Sequence, residues 1–212
     1  MIPEHDCARC PRLAEFRAAN TQAFPEFHNA PVASFGPLDA RLLVVGLAPG
    51  LKGANRTGRP FTGDYAGDLL YPTLTRYGFA AGRYGAAADD GLTLVDCRIT
   101  NAVRCVPPAN KPVGIEIRNC RMFLEAEIAA MPRLNVIVAL GLVAHNATLA
   151  ALGLRQSHSR FAHGARSVLP NGILLADSYH CSRYNTNTGR LTEAMFHAVF
   201  DGVRSDLDRK AP

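Results

Sequence analysis

No stretch of this sequence approaches the roughly 20 consecutive apolar residues that a membrane-spanning helix needs. The N-terminus, MIPEHDCARC, lacks a basic segment followed by an apolar one, so no secretory signal and a cytoplasmic location are expected. Lysine is scarce. Lys52, Lys111 and Lys210 are the whole complement, and Arg supplies the rest of 23 basic residues set against 18 acidic ones. The planar guanidinium suits phosphates, and the net charge of +5 permits a nucleic-acid partner without requiring one. There is no internal repeat and no break in composition, so residues 1–212 are expected to form one domain. No GxGxxG follows an apolar run, which removes the usual dinucleotide fingerprint.

What is present is organised around residues 46–64, GLAPGLKGANRTGRPFTGD. The loop begins where the apolar run Leu42 to Val45 stops, and ends at Asp64 before a helix expected over Tyr65 to Arg76. An apolar strand feeding such a loop and then a helix is how open α/β sheets build ligand sites at strand ends. Further buried-type strands are expected at 92–101, 135–140 and 173–176, with a short one at 167–169. Helices are expected at 13–19, 114–130, 143–152 and 191–207. Strands alternating with helices predict a parallel sheet covered on both faces.

Within the loop, Gly53 to Pro60 nearly matches the phosphate-cradling Gly-x4-Gly-Lys-Ser/Thr motif. Pro60 has no hydroxyl for magnesium, and no helix can run through Gly58-Arg59-Pro60, so nucleotide hydrolysis is not expected. Asp64 has the makings of a helix cap, and Phe61 of a core residue. Asn101 ends a strand, where Asn often closes a turn, yet its amide can also read a base edge. His180 follows the last strand and falls on the same sheet edge as the loop and Asn101. The segment Ser182 to Gly189 holds phosphate-type donors that would equally suit a solvated loop.

Six cysteines are present. In a cytosolic chain these point to metal or redox chemistry rather than disulfides. Cys97 lies in an apolar run and reads as core. Cys7-x2-Cys10 lies in a polar segment with no core to fill, and with Cys105-x14-Cys120 it makes four thiols in two groups. Zinc and a [4Fe–4S] cluster both fit, and the spacing does not choose between them.

Taken together, residues 46–64, TNAVRC, HCSRYNTNTGRLT and the four cysteines resemble the iron–sulfur uracil-DNA glycosylases over nearly the whole chain. The branch is family 5, also called type B. Family 4 has Glu after the first Gly of the first motif, where this chain has Leu47. The resemblance implies a three-layer α/β/α fold with a four-stranded parallel sheet in the order 2-1-3-4. It implies a structural [4Fe–4S] cluster on Cys7, Cys10, Cys105 and Cys120, and a monomer acting on double- and single-stranded DNA. It implies a monofunctional repair enzyme that flips out uracil and other damaged bases, such as hypoxanthine or ethenocytosine, and hydrolyses the N-glycosidic bond.

On that resemblance, Phe61 stacks on the base, Asn101 bonds its edge, and Gly46, Ala48 and Gly50 help hold it. His180 stabilises the departing anion, and Asp64 positions or deprotonates the water. Arg56, Arg59, Ser182, Arg183, Asn185 and Arg190 contact DNA. Leu47 removes the carboxylate family 4 has there, which moves the expected water ligand to Asp64. Cys181 replaces the usual Pro of the His-Pro-Ser motif and is expected to alter loop stiffness more than chemistry. Lys52 is a weak candidate for a Schiff base. A DNA-binding protein without catalysis, and a zinc protein of unrelated function, are the competing readings.

Overall fold

A computed structural model describes residues 2–209. The chain opens with α1 (Pro11–Ala23), where Pro suits the first turn because its missing N–H would have no partner there. A long loop leads to β1 (Leu42–Gly46). Then follow α2 (Ala54–Thr57), α3 (Tyr65–Arg76), the two-residue strands β2 (Ala80–Ala81) and β3 (Thr93–Leu94), and β4 (Cys97–Asn101). The rest is α4 (Gly114–Ala129), β5 (Val136–Leu140), α5 (Leu142–Ala151), β6 (Arg166–Val168), β7 (Leu174–Ser178), α6 (Arg183–Asn187) and α7 (Glu193–Arg209).

Leu42 and Val44 of β1 pack with Leu70 and Leu74 of α3 and with Phe196 and Phe200 of α7. Leu43 and Val45 point the other way, onto Leu124 of α4 and Ala144 and Ala147 of α5. This is the two-residue period of a strand buried on both faces. It produces the expected three layers, helix on sheet on helix. No helix among the described residues is long and apolar enough to cross a membrane.

The sheet itself needs a correction. It has five strands, in the order β4-β1-β5-β7-β6, not four. The four parallel strands keep the expected sequence of positions. The extra strand, β6, lies antiparallel on the outer edge of β7. Its cause is local. Leu169 N–H bonds Ile173 O at 2.8 Å and Gly172 N–H bonds Leu169 O at 2.9 Å, closing a tight turn through Pro170 and Asn171. A return that short can only be antiparallel. The helices α2 and α6 were not foreseen, since four or five residues carry no readable period.

The register fixes where the parallel strands end. Gly46 lies opposite Asn101, and Leu140 opposite Ser178, so the loops after β1, β4, β5 and β7 leave from one edge. The first of these loops is pinned from inside. Arg59, expected at a DNA contact, is instead only 5% exposed. Its guanidinium forms two bonds to Asp90, at 2.8 and 2.7 Å. It also lies 5.1, 5.3 and 5.9 Å from the ring centres of Phe35, Tyr71 and Tyr84. Bidentate pairing with a carboxylate and stacking on aromatics are what an Arg does well, and a strong internal site outcompetes solvent. This arginine is therefore an anchor of the loop, not a surface contact.

The Arg59 pair holds Asp90 well below the usual carboxylate range, helped by the N–H groups of Gly85 and Leu92. A depressed acid contributes stability above its unfolded pKa and loses it as pH falls toward the folded one. Both side chains are 6% exposed. Asp90→Ala leaves a buried guanidinium unpaired and should cost about 3–5 kcal/mol in denaturant unfolding at pH 7. The difference from wild type should shrink below about pH 4.

Candidate active site at the sheet edge

The first structural condition of the site is an absent side chain. A Cβ on Gly46 would lie 2.3 Å from Asn101 Oδ1 and 2.4 Å from Phe61 Cζ. Because that space is empty, the amide and the ring meet beside the end of β1. Phe61 sits there with a left-handed backbone, φ +53°. Such a conformation persists only when its surroundings enforce it. Here Arg59 donates to Thr62 Oγ1 at 2.8 Å and Tyr71 OH donates to Pro60 O at 2.5 Å, on either side of Phe61.

Asp64 is the helix cap that the sequence allows. It caps α3, its Oδ1 accepting from Ala66 N at 3.2 Å and Gly67 N at 3.4 Å. Its Oδ2 lies against Gly53, where a Cβ would approach within 2.2 Å. No hydrogen bond engages Oδ2 among the described residues, so one oxygen is structural and one is available. Burial pushes the Asp64 carboxyl above its ordinary value, against the pull of the two N–H groups.

Ala48, Gly50, Phe61, Asp64, Asn101 and His180 all line one recess of about 30 Å³, room for a water or two. It opens into a groove of about 620 Å³ that shares Ala48, Gly50, Asp64 and His180. Asn101 is 3% exposed, and its Oδ1 is buried with no hydrogen-bond partner. A buried polar atom left unpaired is costly, and here it faces a recess where a ligand could satisfy it. The N–H groups of Ala48 and Gly50 are two further donors without a partner among the described residues. The His180 ring lies 5.9 Å from that of Phe61, at 26°. Burial pushes the imidazole down to about 4, so it is neutral at pH 7 and has an N–H to donate.

The expected DNA contacts divide. Arg56, Arg183 and Arg190 are exposed, and Arg183 and Ser182 line the groove. Ser182 also caps α6. Asn185 is turned inward, its Nδ2 donating to His180 O at 2.8 Å. Nothing in the sequence marks Tyr184, which is 72% exposed at the groove, nor Tyr65, Lys111 and Leu142 along it. Aromatic and apolar residues that line a groove look no different in sequence from core.

Away from this edge, Cys7, Cys10, Cys105 and Cys120 line a single cavity between the N-terminal segment, the loop after β4 and α4. Three sulfurs accept N–H groups: Cys105 from Arg17 Nη1 at 3.6 Å, Cys10 from Asn119 Nδ2 at 3.7 Å, and Cys120 from Arg104 N at 3.3 Å. Burial pushes the Cys105 thiol up to about 12 and that of Cys120 up to about 11. Four soft ligands with N–H donors aimed at them fit a metal group with thiolate ligation. Among the described residues, no group of three or more His, Cys, Asp or Glu is arranged for one metal ion. Cys97 and Cys181 are buried elsewhere in the core.

The model of the uracil DNA glycosylase superfamily matches residues 33–204, and the chain belongs to that superfamily. Within it, the chain is similar to proteins named type-5 uracil-DNA glycosylase. That of Thermus thermophilus is 47% identical, over 91% of this chain and 90% of its own length. That of Pyrobaculum aerophilum is 41% identical, over 95% and 89%. That of Mycobacterium leprae is 42% identical, over 92% and 88%.

Asp64 yields a stability prediction. Asn caps a helix as well as Asp does, and Asp64→Asn removes a charge that burial disfavours. Thermal unfolding at pH 7 should show Asp64→Asn as stable as wild type or more so. Asp64→Ala, which has no cap, should lose about 1 kcal/mol.

Proposed function

We propose that this protein excises uracil from DNA by hydrolysing the N-glycosidic bond. The observation that carries the reading is the recess that Phe61, Asn101, Asp64 and His180 share. A base inside a duplex is out of reach, so the nucleotide must be extruded into the groove. The recess is smaller than a pyrimidine, and base entry requires the Phe61 or His180 side chain to move, a common adjustment on binding. The uracil face then lies on Phe61. Asn101 and the N–H groups of Ala48 and Gly50 take its polar edge. As the N1–C1′ bond breaks, the base departs as an anion and the sugar becomes cationic. Neutral His180 donates to the anion, and a preorganised donor costs no reorganisation at that moment. Asp64 Oδ2 orients a water toward C1′, takes its proton, and offsets the sugar charge.

The four cysteines would hold a [4Fe–4S] cluster, which supplies cross-linking of the N-terminal segment to the body of a single domain. Arg56, Arg183 and Arg190 would contact phosphates of double- or single-stranded DNA. Hypoxanthine and ethenocytosine are the further bases to test, since a ring stack and a few backbone donors select weakly. The protein would act as a cytoplasmic monomer.

Uracil-containing duplex should yield free uracil and abasic strand in equal amounts. His180→Ala and Asp64→Asn should each slow single-turnover release by roughly 10²–10³. If both variants keep wild-type rates, the assigned roles are wrong. The wild-type rate should climb with pH through the ionisation of Asp64, above the ordinary carboxylate range. It should then stay level through neutrality because His180 is already uncharged. A brown protein with iron and acid-labile sulfide in equal amounts is the expected outcome for the cysteine site, and a colourless zinc-loaded one would contradict it.

A further inference from the structure

His180 poses a problem of placement. No hydrogen bond holds its imidazole among the described residues, and its one recorded ring neighbour is Phe61. Whatever sets the position of that ring must act through the backbone of residues 179–181. We propose that His163 is a positioning residue for His180, with its Nδ1 fixing the Tyr179 backbone. The inference rests on the role given to His180 above.

The Tyr179 N–H donates to His163 Nδ1 at 3.1 Å. The donor is a backbone amide, so Nδ1 carries no proton and the neutral ring holds its hydrogen on Nε2. The same imidazole packs on the Tyr179 ring, 5.0 Å between centres and 21° between planes. Arg190 lies 4.6 Å from that ring's centre. Ser178 Oγ donates to Tyr179 O at 2.9 Å. The N–H, the carbonyl and the ring of Tyr179 are thus each engaged. Beyond His180, Asn185 holds its carbonyl and Cys181 is fully buried. The backbone is clamped on both sides while the imidazole between stays unbonded.

His163 is itself held by a strap. Gly164 N–H bonds Asp177 O, and Asp177 N–H bonds Ala165 O, each at 2.9 Å. The strap starts at Ser159, whose carbonyl meets His145 Nε2 at 3.0 Å, while His145 Nδ1 meets Asp177 Oδ1 at 2.8 Å. Both partners are acceptors, so His145 donates from both nitrogens and ties the strap to β7. Residues 158–164 thus hold His163 in place while contributing no residue to the recess.

Two substitutions separate acceptor from packing. His163→Phe keeps a ring against Tyr179 and removes both the Nδ1 acceptor and the Nε2 donor to the Met195 backbone, of which His163→Asn restores only the acceptor. His163→Asn removes the ring and returns an oxygen near the Nδ1 position. The Phe variant should lower kcat for uracil release about tenfold with KM little changed, because a partly buried N–H is left unpaired beside His180. The Asn variant should recover most of that loss. A folded Phe variant with wild-type kcat, or an Asn variant as impaired as Phe, overturns the proposal. Nitrogen NMR of wild-type protein tests it without any variant: His163 should show a bare Nδ1 and a protonated Nε2, and the opposite tautomer overturns it. If wild-type protein releases no uracil, the proposed function fails. The tautomer, and a shift of the His180 ring signals in the Phe variant, still judge the clamp.

Discussion

The missing side chain of Gly46 is the constraint on which the site depends. Parallel pairing sets Gly46 opposite Asn101, and only glycine leaves the end of β1 open for the Asn101 amide and the Phe61 ring together. Gly53 repeats the device for Asp64 Oδ2. The sheet brings the strand ends to one edge, and the two glycines let the side chains converge there. An alanine at either position would meet a side chain well inside contact distance, so the recess is specified by backbone first and chemistry second.

The polar groups of the site are kept out of balance by burial. Asn101 Oδ1 is unpaired, Asp64 is pushed toward its neutral form, and His180 is held uncharged. Each condition costs the fold and favours a ligand, as is usual where stability and function compete. The offsetting interactions lie just outside. Arg59, Asp90 and three aromatic rings hold the Phe61 turn, and the Tyr179 clamp holds the His180 backbone. Removing a charge at Asp64 is therefore expected to be tolerated where removing one at Asp90 is not.

Much of the architecture was legible because buried parallel strands write themselves as short apolar runs. Leu42 to Gly46 and Val136 to Leu140 lie within such runs, and α3 begins after a capping Asp. Asn101 ends β4 and His180 follows β7, so their place on the sheet edge was legible in the sequence. Less was legible where a residue's role depends on a distant partner. Arg59 looked like a phosphate ligand because nothing nearby in sequence announces Asp90, 31 positions on. Asn185 looked like a DNA contact, yet its amide serves His180 O. The short strand expected at 167–169 is β6, but its antiparallel place in the sheet depends on a turn, and the strap around His163 depends on tertiary hydrogen bonds. Neither leaves a period to read. The sequence spacing sets four thiols apart in two pairs, and only the fold brings the two pairs to one cavity.

The claim that joins these parts is that the recess at the end of β1 receives an extruded uracil. A crystal structure of the Asp64→Asn variant with uracil-containing duplex DNA tests it most directly. The account predicts the uracil outside the helix, its face on Phe61, its edge on Asn101, and His180 against its oxygen. Uracil still stacked in the duplex, or bound away from Asn101 and Phe61, would contradict it.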